Sequence, residues 1–373
     1  RAFGKKDERE RIKVKKILFT GGGSAGHVSV NVALIPEFKK NGYEISYIGS
    51  KTGIENEMIG KIPEVKYYKI SSGKLRRYFS WENFIDPFKV MKGIVDSLLI
   101  LKKEKPDFVF SKGGFVSVPV CVAAKLLRIP VVLHESDLTP GLANKINIKF
   151  CNHIFTTFED TQRFLPKNKA SLIGAIVRDD IYTGDKQKAY ELTGFNENKP
   201  VLLVMGGSLG SKILNDYIWD NIDQLTEKYQ IVHLVGKGLL NNDIDREGYK
   251  QFEFLSKELF DVLKITNFVI SRAGANSIYE FLALELPPIL VPLGTNQSRG
   301  DQIENARFFE KNGFAKVVVE EDFATLPISQ IDEFYNNLED YKHSMQVYKN
   351  EKRVINDVND FYNKILDKVG GEN

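Results

Sequence analysis

Two glycine-rich turns of nearly the same sequence, about half the chain apart, constrain the fold more than any other feature. Gly22–Gly26 reads Gly-Gly-Ser-Ala-Gly, Gly206–Gly210 reads Gly-Gly-Ser-Leu-Gly, and each follows a short apolar run. A second pair of segments, Phe108–Gly114 and Phe268–Gly274, occurs in the same order, and each ends in Ser, a basic residue, a small residue and Gly. Repetition at such a long period indicates duplication of a whole domain, so the sequence predicts two related domains in tandem.

The apolar pattern predicts the fold class. Short apolar runs alternate with helix-length amphipathic segments in both halves, which is typical of βα units and a parallel sheet. The predicted strands are Ile17–Thr20, Ile45–Ile48, Phe108–Phe110, Val131–Leu133, Ile154–Thr156, Val201–Met205, Ile231–Val235, Phe268–Ile270 and Ile289–Val291. The fold class is therefore α/β, with two tandem Rossmann-like, doubly wound domains. Such sheets hold ligands at the C-terminal edges of their strands, so we expect a cleft between the two domains.

The length of 373 residues suits two to three domains. We expect residues 1–12 to be a charged tail outside the fold, residues 13–176 to form the first domain and residues 177–345 the second. Residues 346–373 are predicted to form a C-terminal helix that packs back on the first domain. The junction is expected near Gly174–Arg178, before a helical segment at Asp185–Leu192.

Composition excludes several classes of protein. The net charge of +3 argues against the broad basic surface that nucleic acid requires. Two cysteines, Cys121 and Cys151, are too few for a disulfide framework. The most apolar stretch, Val116–Leu127, is interrupted by Lys125 and is shorter than the roughly 18 residues of a membrane-spanning helix.

The first glycine turn has the composition of an anion site. Thr20–His27 joins a predicted strand to a predicted helix, whose N-terminal N–H groups would suit a phosphate. The turn departs from the dinucleotide fingerprint, because Ile45–Ile48 is followed by Gly49-Ser50-Lys51 rather than by an acidic residue, and this argues against an oxidoreductase. The alternative is that the glycines only make a tight turn.

A polar segment in the second half suits a sugar. Pro292–Asn305 carries Asp, Gln and Asn side chains that could bond to hydroxyl groups, and Glu280, in the helix after Gly274, could accept both hydroxyls of a ribose. The alternative is an exposed polar loop and a solvated helix carboxylate.

Six motifs in this order resemble glycosyltransferase family 28. They are Gly21–His27, Ser111–Phe115, His134–Gly141, Met205–Gly210, Ser271–Gly274 and Gly300–Asn305, and the resemblance runs from about Lys15 to the C-terminus. It implies a GT-B fold and a peripheral membrane enzyme of peptidoglycan synthesis. The implied reaction is an inverting transfer of N-acetylglucosamine (GlcNAc) from UDP-GlcNAc to the C4 hydroxyl of N-acetylmuramic acid (MurNAc) in undecaprenyl-pyrophosphoryl-MurNAc-pentapeptide (lipid I), giving lipid II.

The resemblance also implies which residues bind the donor in the second domain. Phe254 and Leu255 would line the uracil, and Glu280 would bind the ribose. Gly207 and Ser208 would hold the diphosphate, which Arg178 would also reach. Gln302 and Asn305 would bind the sugar hydroxyls, with Asp301 beside them.

Acceptor binding and catalysis are assigned to the first domain. The acceptor or phosphate residues are Gly22, Gly23, Ser24, Gly26, Gly113, Gly114 and Asn144. His27 is the first candidate for the base, because a histidine at a helix N-terminus tends to stay neutral. His134, next to Glu135, is the second, and Asp137 could bind the acceptor or supply a carboxylate base. His27 could instead bind the acceptor or cap the helix, and His134 could be structural.

No metal or cofactor is expected. The N–H groups after Gly206 and the charge of Arg178 can stabilise the departing diphosphate. The one Asp-x-Asp sequence, Asp243–Asp245, lies in a polar loop and is interpreted as an exposed turn.

A basic and aromatic segment predicts contact with an anionic membrane surface. Lys74, Arg76, Arg77 and Phe79 precede Trp81 and Phe84, with further apolar residues at helical spacing up to Met91. The alternative is that this face packs into the core of the domain. The expected place is the cytoplasmic face of the plasma membrane, with cell-wall synthesis machinery as a possible partner.

Three other functions stay open. A UDP-GlcNAc 2-epimerase and a diacylglycerol glycosyltransferase share the two-domain architecture. A scaffold protein that binds nucleotide sugars without turnover is the third.

Overall fold

The computed structural model describes residues 14–24, 26–73, 82–177, 179–207, 209–295, 298, 300–352 and 355–370, with the backbone alone at 82–85 and 179. The predicted tail at 1–12 therefore lies outside the described residues. Among these residues, no helix combines the length and the apolar character needed to cross a bilayer.

Strands and helices alternate along the chain. The strands are β1 (Lys16–Thr20), β2 (Glu44–Ser50), β3 (Lys66–Ile70), β4 (Phe108–Ser111), β5 (Val131–Glu135), β6 (His153–Thr156), β7 (Ala170–Leu172), β8 (Ala175–Ile176), β9 (Val201–Met205), β10 (Gln230–Leu234), β11 (Tyr249–Phe252), β12 (Thr266–Ser271), β13 (Pro288–Leu290), β14 (Lys316–Val317) and β15 (Ile355–Asn356). The α-helices are α1 (Gly26–Lys40), α2 (Ile54–Ile59), α3 (Glu82–Glu104), α4 (Ser117–Leu126), α5 (Leu142–Asn147), α6 (Lys186–Thr193), α7 (Lys212–Asp220), α8 (Ile222–Lys228), α9 (Glu258–Ile265), α10 (Ala275–Leu284), α11 (Asp301–Lys311), α12 (Glu320–Phe323), α13 (Ile328–Asn336), α14 (Leu338–Lys352) and α15 (Val358–Val369). Two 3₁₀ helices span Glu159–Phe164 and Asp179–Tyr182.

Two parallel sheets repeat the same strand order. The first runs β3-β2-β1-β4-β5-β6-β7 and the second β11-β10-β9-β12-β13-β14, so β9 stands in the second sheet where β1 stands in the first. Each glycine-rich turn follows the central strand, and each Ser-basic-small-Gly segment follows the strand beside it. The prediction of two duplicated, doubly wound α/β domains is confirmed.

Every predicted strand overlaps an observed one, and β3, β7, β8, β11, β14 and β15 were not predicted. Instead of one helix over 346–373, the chain ends with the last part of α14, the two-residue β15 and α15. Strand β15 pairs in parallel with β8, through Ile355 opposite Ala175 and Asn356 opposite Ile176.

The described chain divides into two compact units. Of the described residues, unit 1 comprises those within 14–133, 146–152 and 366–370, and unit 2 comprises those within 134–145 and 153–365. Segments 134–145 and 153–176, which the sequence analysis placed in the first domain, thus group with unit 2. One reason is that Asn305 hydrogen-bonds to Asp137 and Leu138.

The second sheet is buried on both faces, as its apolar runs predict. Successive side chains of a strand point to opposite faces. Along β9, Val201 and Leu203 belong to one buried cluster, whereas Leu202 and Val204 belong to another. Continuous burial of this kind explains why the strand reads as an uninterrupted apolar run.

A buried polar network lies below the second glycine turn. The His233 ring contacts the Asn215 side-chain oxygen through Nε2 and the Tyr249 hydroxyl through Nδ1, at 3.0 Å each. Asn215 in turn donates to the carbonyl of Val235 at 2.9 Å. The imidazole has no exposed surface, and burial lowers the pKa of His233 to about 3.

This network predicts an acid-sensitive stability. An unfolded histidine titrates near pH 6.5, so between pH 6.5 and 3 the unfolded chain binds a proton that folded His233 does not, and stability falls as the pH falls. At pH 5 the expected loss from this group is about 2 kcal/mol. We expect His233→Gln to be less stable than the parent at pH 7.5, with a gap that narrows by about 2 kcal/mol at pH 5.

Urea unfolding followed by fluorescence of Trp219, whose ring lies 5.9 Å from that of His233, measures this gap at both pH values. An equal gap at pH 7.5 and pH 5 would contradict the assignment.

Candidate functional site

The first glycine turn packs against the loop that follows β4. The N–H of Gly22 donates to the carbonyl of Gly113 at 3.3 Å, and the N–H of Lys112 donates to the carbonyl of Thr20 at 3.0 Å. Gly114 has φ +80°, and a Cβ at that position would lie 2.0 Å from the Gly22 carbonyl oxygen. The two loops therefore touch backbone to backbone.

Side chains from α1 and β2 secure the carbonyls of this turn. Tyr47 donates its hydroxyl proton to the Gly21 carbonyl at 2.8 Å, and Asn31 donates to the Thr20 carbonyl at 3.2 Å. Asn31 also donates to the Tyr47 oxygen at 3.1 Å. Burial raises the pKa of Tyr47 far above its ordinary value, so the phenol keeps the proton that it donates.

The turn is less open to an anion than its sequence suggests. The Gly23 N–H donates to Oε2 of Glu55 at 3.2 Å, and the Gly22 N–H is held by Gly113. A phosphate at this turn would find both N–H groups already engaged, with a buried carboxyl group behind one of them. The structure thus favours the tight-turn alternative for Gly22 and Gly23.

His27 lies in the first turn of α1, close to the glycine turn. Its Nδ1 is 3.1 Å from the carbonyl oxygen of Gly22 and 3.1 Å from Oγ of Ser24. A carbonyl oxygen only accepts hydrogen bonds, so a hydrogen bond to Gly22 places the proton on Nδ1, and the Ser24 hydroxyl is then a second acceptor. In neutral imidazole the basic lone pair is then on Nε2.

The loop after β5 is organised by Glu135. Its carboxylate accepts from the N–H groups of Asp137 and Gly141 at 3.0 Å each and from the Asn144 amide at 2.9 Å. Asn144 also donates to the His134 carbonyl at 3.3 Å. Glu135 and Asn144 are both buried, which favours a structural role for these two side chains.

His134 is 1% exposed. Its ring packs against Phe361 of α15 with centroids 5.3 Å apart, and its Nε2 lies 3.4 Å from Oγ1 of Thr157. A base must reach the proton that it removes. The burial of His134 therefore favours the structural alternative over a catalytic one.

Asn305 joins two loops of unit 2. Its side-chain oxygen accepts from the Leu138 N–H at 3.0 Å, and its amide nitrogen donates to Asp137 at 3.2 Å and to the Ala273 carbonyl at 3.3 Å. Gln302, one turn earlier in α11, accepts from the Ala273 and Leu293 N–H groups at 3.3 and 3.1 Å. Both side chains thus hold the Ser271–Gly274 segment, and Asn305 has no exposed surface.

The second glycine turn repeats the first at one position, Gly207. Gly207 has φ +89°, the same as Gly23, and at both positions the space around a Cβ is open. Gly210 has φ +75°, and a Cβ there would lie 2.1 Å from the Val235 carbonyl oxygen. Gly207 is exposed, so its backbone is accessible to a ligand.

The remaining donor candidates lie on elements of unit 2. Phe254 is 67% exposed, whereas the neighbouring Leu255 is buried. Glu280 lies in the second turn of α10, and Asp301 is the first residue of α11; both are partly exposed. Gly274 precedes α10, and the space around a Cβ there is open.

Two charged residues that sequence reasoning did not select support the site. Glu55 is one, and Arg272 is the other. Arg272 is buried, donates to the Val291 carbonyl at 3.1 Å and pairs with Glu320 at 2.5 Å. Glu320 also accepts from the Gly294 N–H at 3.4 Å, so this pair anchors the start of the polar loop. The sequence does contain a signal for Arg272, because it is a charged residue directly after an apolar strand.

Several predicted residues lie outside the described part of the chain. They are Arg178, Ser208, Lys74, Arg76, Arg77, Phe79 and Trp81, and the side chain of Phe84. Within the described ranges, no group of three His, Cys, Asp or Glu side chains could hold a metal ion.

Comparison with known proteins gives consistent results. Residues 17–156 match the model of the glycosyltransferase family 28 N-terminal domain, and residues 201–358 match that of the C-terminal domain. The UDP-N-acetylglucosamine–N-acetylmuramyl-(pentapeptide) pyrophosphoryl-undecaprenol N-acetylglucosamine transferase of Staphylococcus saprophyticus is 57% identical over 92% of this chain and 98% of that protein. The enzyme of the same name from Staphylococcus aureus (strain bovine RF122 / ET3-1) is 58% identical over 88% of this chain and 95% of that protein.

Solved structures share the fold. The crystal structure of Acinetobacter baumannii MurG has a TM-score of 0.69 at 23% identity and covers 89% of this chain and 93% of that one. A putative UDP-N-acetylglucosamine 2-epimerase from Listeria monocytogenes has a TM-score of 0.57 at 11% identity, with 89% and 90% covered. At these identities the likeness concerns the fold alone.

The packing of the two loops in unit 1 yields a matched pair of variants. Gly114 and Gly42 both have φ +80°, but the Gly22 carbonyl blocks a Cβ at Gly114, whereas nothing lies within 4 Å at Gly42. We expect Gly42→Ala to lose about 1 kcal/mol from backbone strain, and Gly114→Ala about 3 kcal/mol because overpacking adds to that strain. Scanning calorimetry of the full chain compares the two. Equal shifts of the melting temperature would show that the loops do not pack as described.

Proposed function

This chain belongs to glycosyltransferase family 28, and on that premise we propose that it transfers GlcNAc from UDP-GlcNAc to the C4 hydroxyl of MurNAc in lipid I, giving lipid II for peptidoglycan synthesis. The observation that carries the proposal is the 57% identity to an N-acetylglucosamine transferase named for this acceptor, over 92% of the chain. The placement of His27 and of the second glycine turn supports the chemistry.

His27 is the base in this proposal. Its Nε2 takes the proton of the C4 hydroxyl as the hydroxyl oxygen forms a bond to the anomeric carbon of GlcNAc. The bond from that carbon to the UDP oxygen breaks, and its electron pair leaves with UDP. Attack opposite to the leaving group inverts the anomeric centre and gives a β1,4 linkage. Asp137, which Asn305 contacts at 3.2 Å, stays the alternative base.

Unit 2 binds the departing UDP. The diphosphate is assigned to the N–H groups at Gly207 and the start of α7, where backbone dipoles favour negative charge. The open space at Gly207 and its φ of +89° support a close approach of the phosphate to the backbone. Arg178 and Ser208 stay assigned to the same diphosphate as predictions from the sequence.

The rest of the donor binds to partly exposed side chains. Exposed Phe254 suits stacking on the uracil, and Glu280 suits the two ribose hydroxyls. Asp301 is placed beside the sugar hydroxyls. Gln302 and Asn305 already hold the protein's own backbone, so we assign them to shaping the sugar site.

The first test is product analysis. Incubation with UDP-GlcNAc and a lipid I analogue is expected to give a lipid-linked disaccharide and UDP in equal amounts, measured by mass spectrometry. We expect His27→Ala to lower kcat at least a hundredfold, which is the usual effect of losing a general base, with saturating acceptor.

The alternatives give different products. An epimerase would release free epimer without acceptor, a diacylglycerol glycosyltransferase would form glycolipid from diacylglycerol, and a scaffold would bind UDP-GlcNAc without turnover. Near-parental turnover of His27→Ala would remove His27 from the role of base.

An exposed apolar stripe on α3 supports contact with a membrane surface. We call Phe88, Met91, Val95 and Leu99 the α3 ridge; their spacing of three and four residues puts them on one face of the helix. Phe88 is 76% exposed and Met91 61% exposed. The exposure of these side chains argues against the alternative interpretation of the sequence, in which this face packs into the core of the domain.

The α3 ridge has the chemistry of an interfacial anchor. Lys92, Lys102 and Lys103 are exposed along the same helix, and cations beside an apolar face suit anionic lipid headgroups. The opposite face packs against the body of unit 1: a Cβ at Gly93 would lie 2.2 Å from the Ser71 carbonyl oxygen and 3.1 Å from Cγ of Pro119. We place the enzyme peripherally on the cytoplasmic face of the plasma membrane, with lipid I as the acceptor held there.

Vesicle binding tests this assignment. We expect Phe88→Ser with Met91→Ser to weaken sedimentation with phosphatidylglycerol vesicles at least tenfold, because burial of each side chain contributes about 1.5 to 3 kcal/mol when complete. Val319→Ser in unit 2, where the side chain is 49% exposed, serves as the matched control and should leave binding unchanged. UDP-GlcNAc affinity should stay within twofold in both. Equal vesicle binding by parent and double variant would refute the ridge as the anchor.

A further inference from the structure

Glu55 is a fully buried carboxylate in contact with the first glycine turn. It lies in the short helix α2, which begins after Gly53. Its Oε1 accepts from the Ser50 N–H at 2.9 Å and from the Ser50 hydroxyl at 2.5 Å, and its Oε2 accepts from the Gly23 N–H at 3.2 Å. Both oxygens of the carboxylate are therefore used as acceptors, one for β2 and one for the turn.

The carboxylate explains why Gly22 lacks a side chain. A Cβ on Gly22 would lie 2.4 Å from Cδ of Glu55 and within 2.6 Å of both its oxygens. A Cβ on Gly53 would lie 2.2 Å from Oε2. The glycines at these positions let the carboxylate lie flat against the backbone of the turn. The absence of a side chain at Gly22 is therefore required by the Glu55 carboxylate rather than by a bound ligand.

The position of Gly22 determines the state of the His27 ring. The Gly22 carbonyl contacts Nδ1 at 3.1 Å, which places the proton on that nitrogen and the basic lone pair on Nε2. The Gly22 N–H is held by the Gly113 carbonyl, and the N–H of the next residue, Gly23, is held by Glu55. A shift of the turn would release Nδ1 from the Gly22 carbonyl. It would allow the other tautomer, in which the proton is on Nε2 and the lone pair is on Nδ1.

We propose that Glu55 is a positioning residue for glycosyl transfer: it holds the Gly22–Gly23 backbone so that His27 keeps its proton on Nδ1 and its lone pair on Nε2. The catalytic part of this inference rests on the proposed function and on His27 as its base. Glu55 itself touches neither substrate, since it has no exposed surface.

Glu55→Gln and Ser50→Ala separate this role from simple stabilisation. Glutamine has one acceptor oxygen, and if that oxygen serves the two donors of Ser50, its NH₂ group faces the Gly23 N–H, donor against donor. Ser50→Ala instead removes the hydroxyl bond to Oε1 and the bond that this hydroxyl accepts from the Gly53 N–H at 2.9 Å, and it leaves the Oε2 bond to Gly23 in place. Both variants lose hydrogen bonds, but only Glu55→Gln disturbs the turn.

The direct measurement is the tautomer of His27 in the full chain, read from ring ¹⁵N chemical shifts. The chain has five histidines, and the spectrum of His27→Gln identifies the signals of His27. We expect Nδ1–H in the parent and in Ser50→Ala, and a mixture of tautomers or Nε2–H in Glu55→Gln. This readout needs no substrate, so it decides the proposal even if the chain transfers no GlcNAc.

The kinetic measurement follows with UDP-GlcNAc and a lipid I analogue. Glu55→Gln should lower kcat at least tenfold with the KM for UDP-GlcNAc within twofold, and Ser50→Ala should keep both within twofold. The proposal is overturned by Nε2–H at His27 in the parent. It is also overturned if Glu55→Gln keeps the parental tautomer and kcat, or if Ser50→Ala shows the same loss as Glu55→Gln.

Discussion

Both units depend on one constraint: the loops that follow neighbouring parallel strands approach each other closely, backbone against backbone. Parallel strands are about 4.8 Å apart, so the loops that leave adjacent strands at the same edge meet directly. In unit 1, Gly114 lies against the Gly22 carbonyl, and in unit 2, Gly210 lies against the Val235 carbonyl. A side chain at either glycine would separate loops that carry His27 in one unit and the second glycine turn in the other.

The two units solve the same problem of buried carbonyl groups with different side chains. In unit 1, Asn31 and Tyr47 donate to the carbonyls of Thr20 and Gly21. In unit 2, Asn215 donates to the Val235 carbonyl and is itself fixed by His233. Buried carbonyls without partners are costly. Duplication has kept the strand order and the glycines, while the polar residues that secure them have diverged.

The sequence predicts the parts of the fold that depend on burial alone. Strand β9 is apolar throughout and β12 contains the apolar run Phe268–Ile270, because both faces of their sheet are covered. Strand β3, with Lys66 and Lys69, and strand β11, with Lys250 and Gln251, lie at sheet edges. Their polar residues interrupt the short apolar runs by which the other strands are recognised. The edges of a sheet are determined by pairing between distant segments, which a local pattern does not contain.

The candidate site shows the same division. The motifs correctly bring the glycine turns next to the Ser-basic-small-Gly segments, because the strand order follows from the βα repeat. The function of single residues was harder to predict. Gly22 was assigned to a phosphate, and its actual neighbour is Glu55, from a short polar helix that looks like a surface turn. Asn305 and Glu135 have the residue types of ligand-binding groups, yet tertiary contacts use their polar atoms within the protein.

Gly93 gives the α3 ridge a mechanical property. Because the helix backbone at Gly93 lies directly against the Ser71 carbonyl and Pro119, α3 is fixed to the body of unit 1 along its inner face. If the ridge inserts into a lipid surface as proposed, its fixed orientation transmits the inclination of that surface to the whole of unit 1. Such insertion would therefore set the depth and tilt of that unit, and with them the height of His27 above the bilayer.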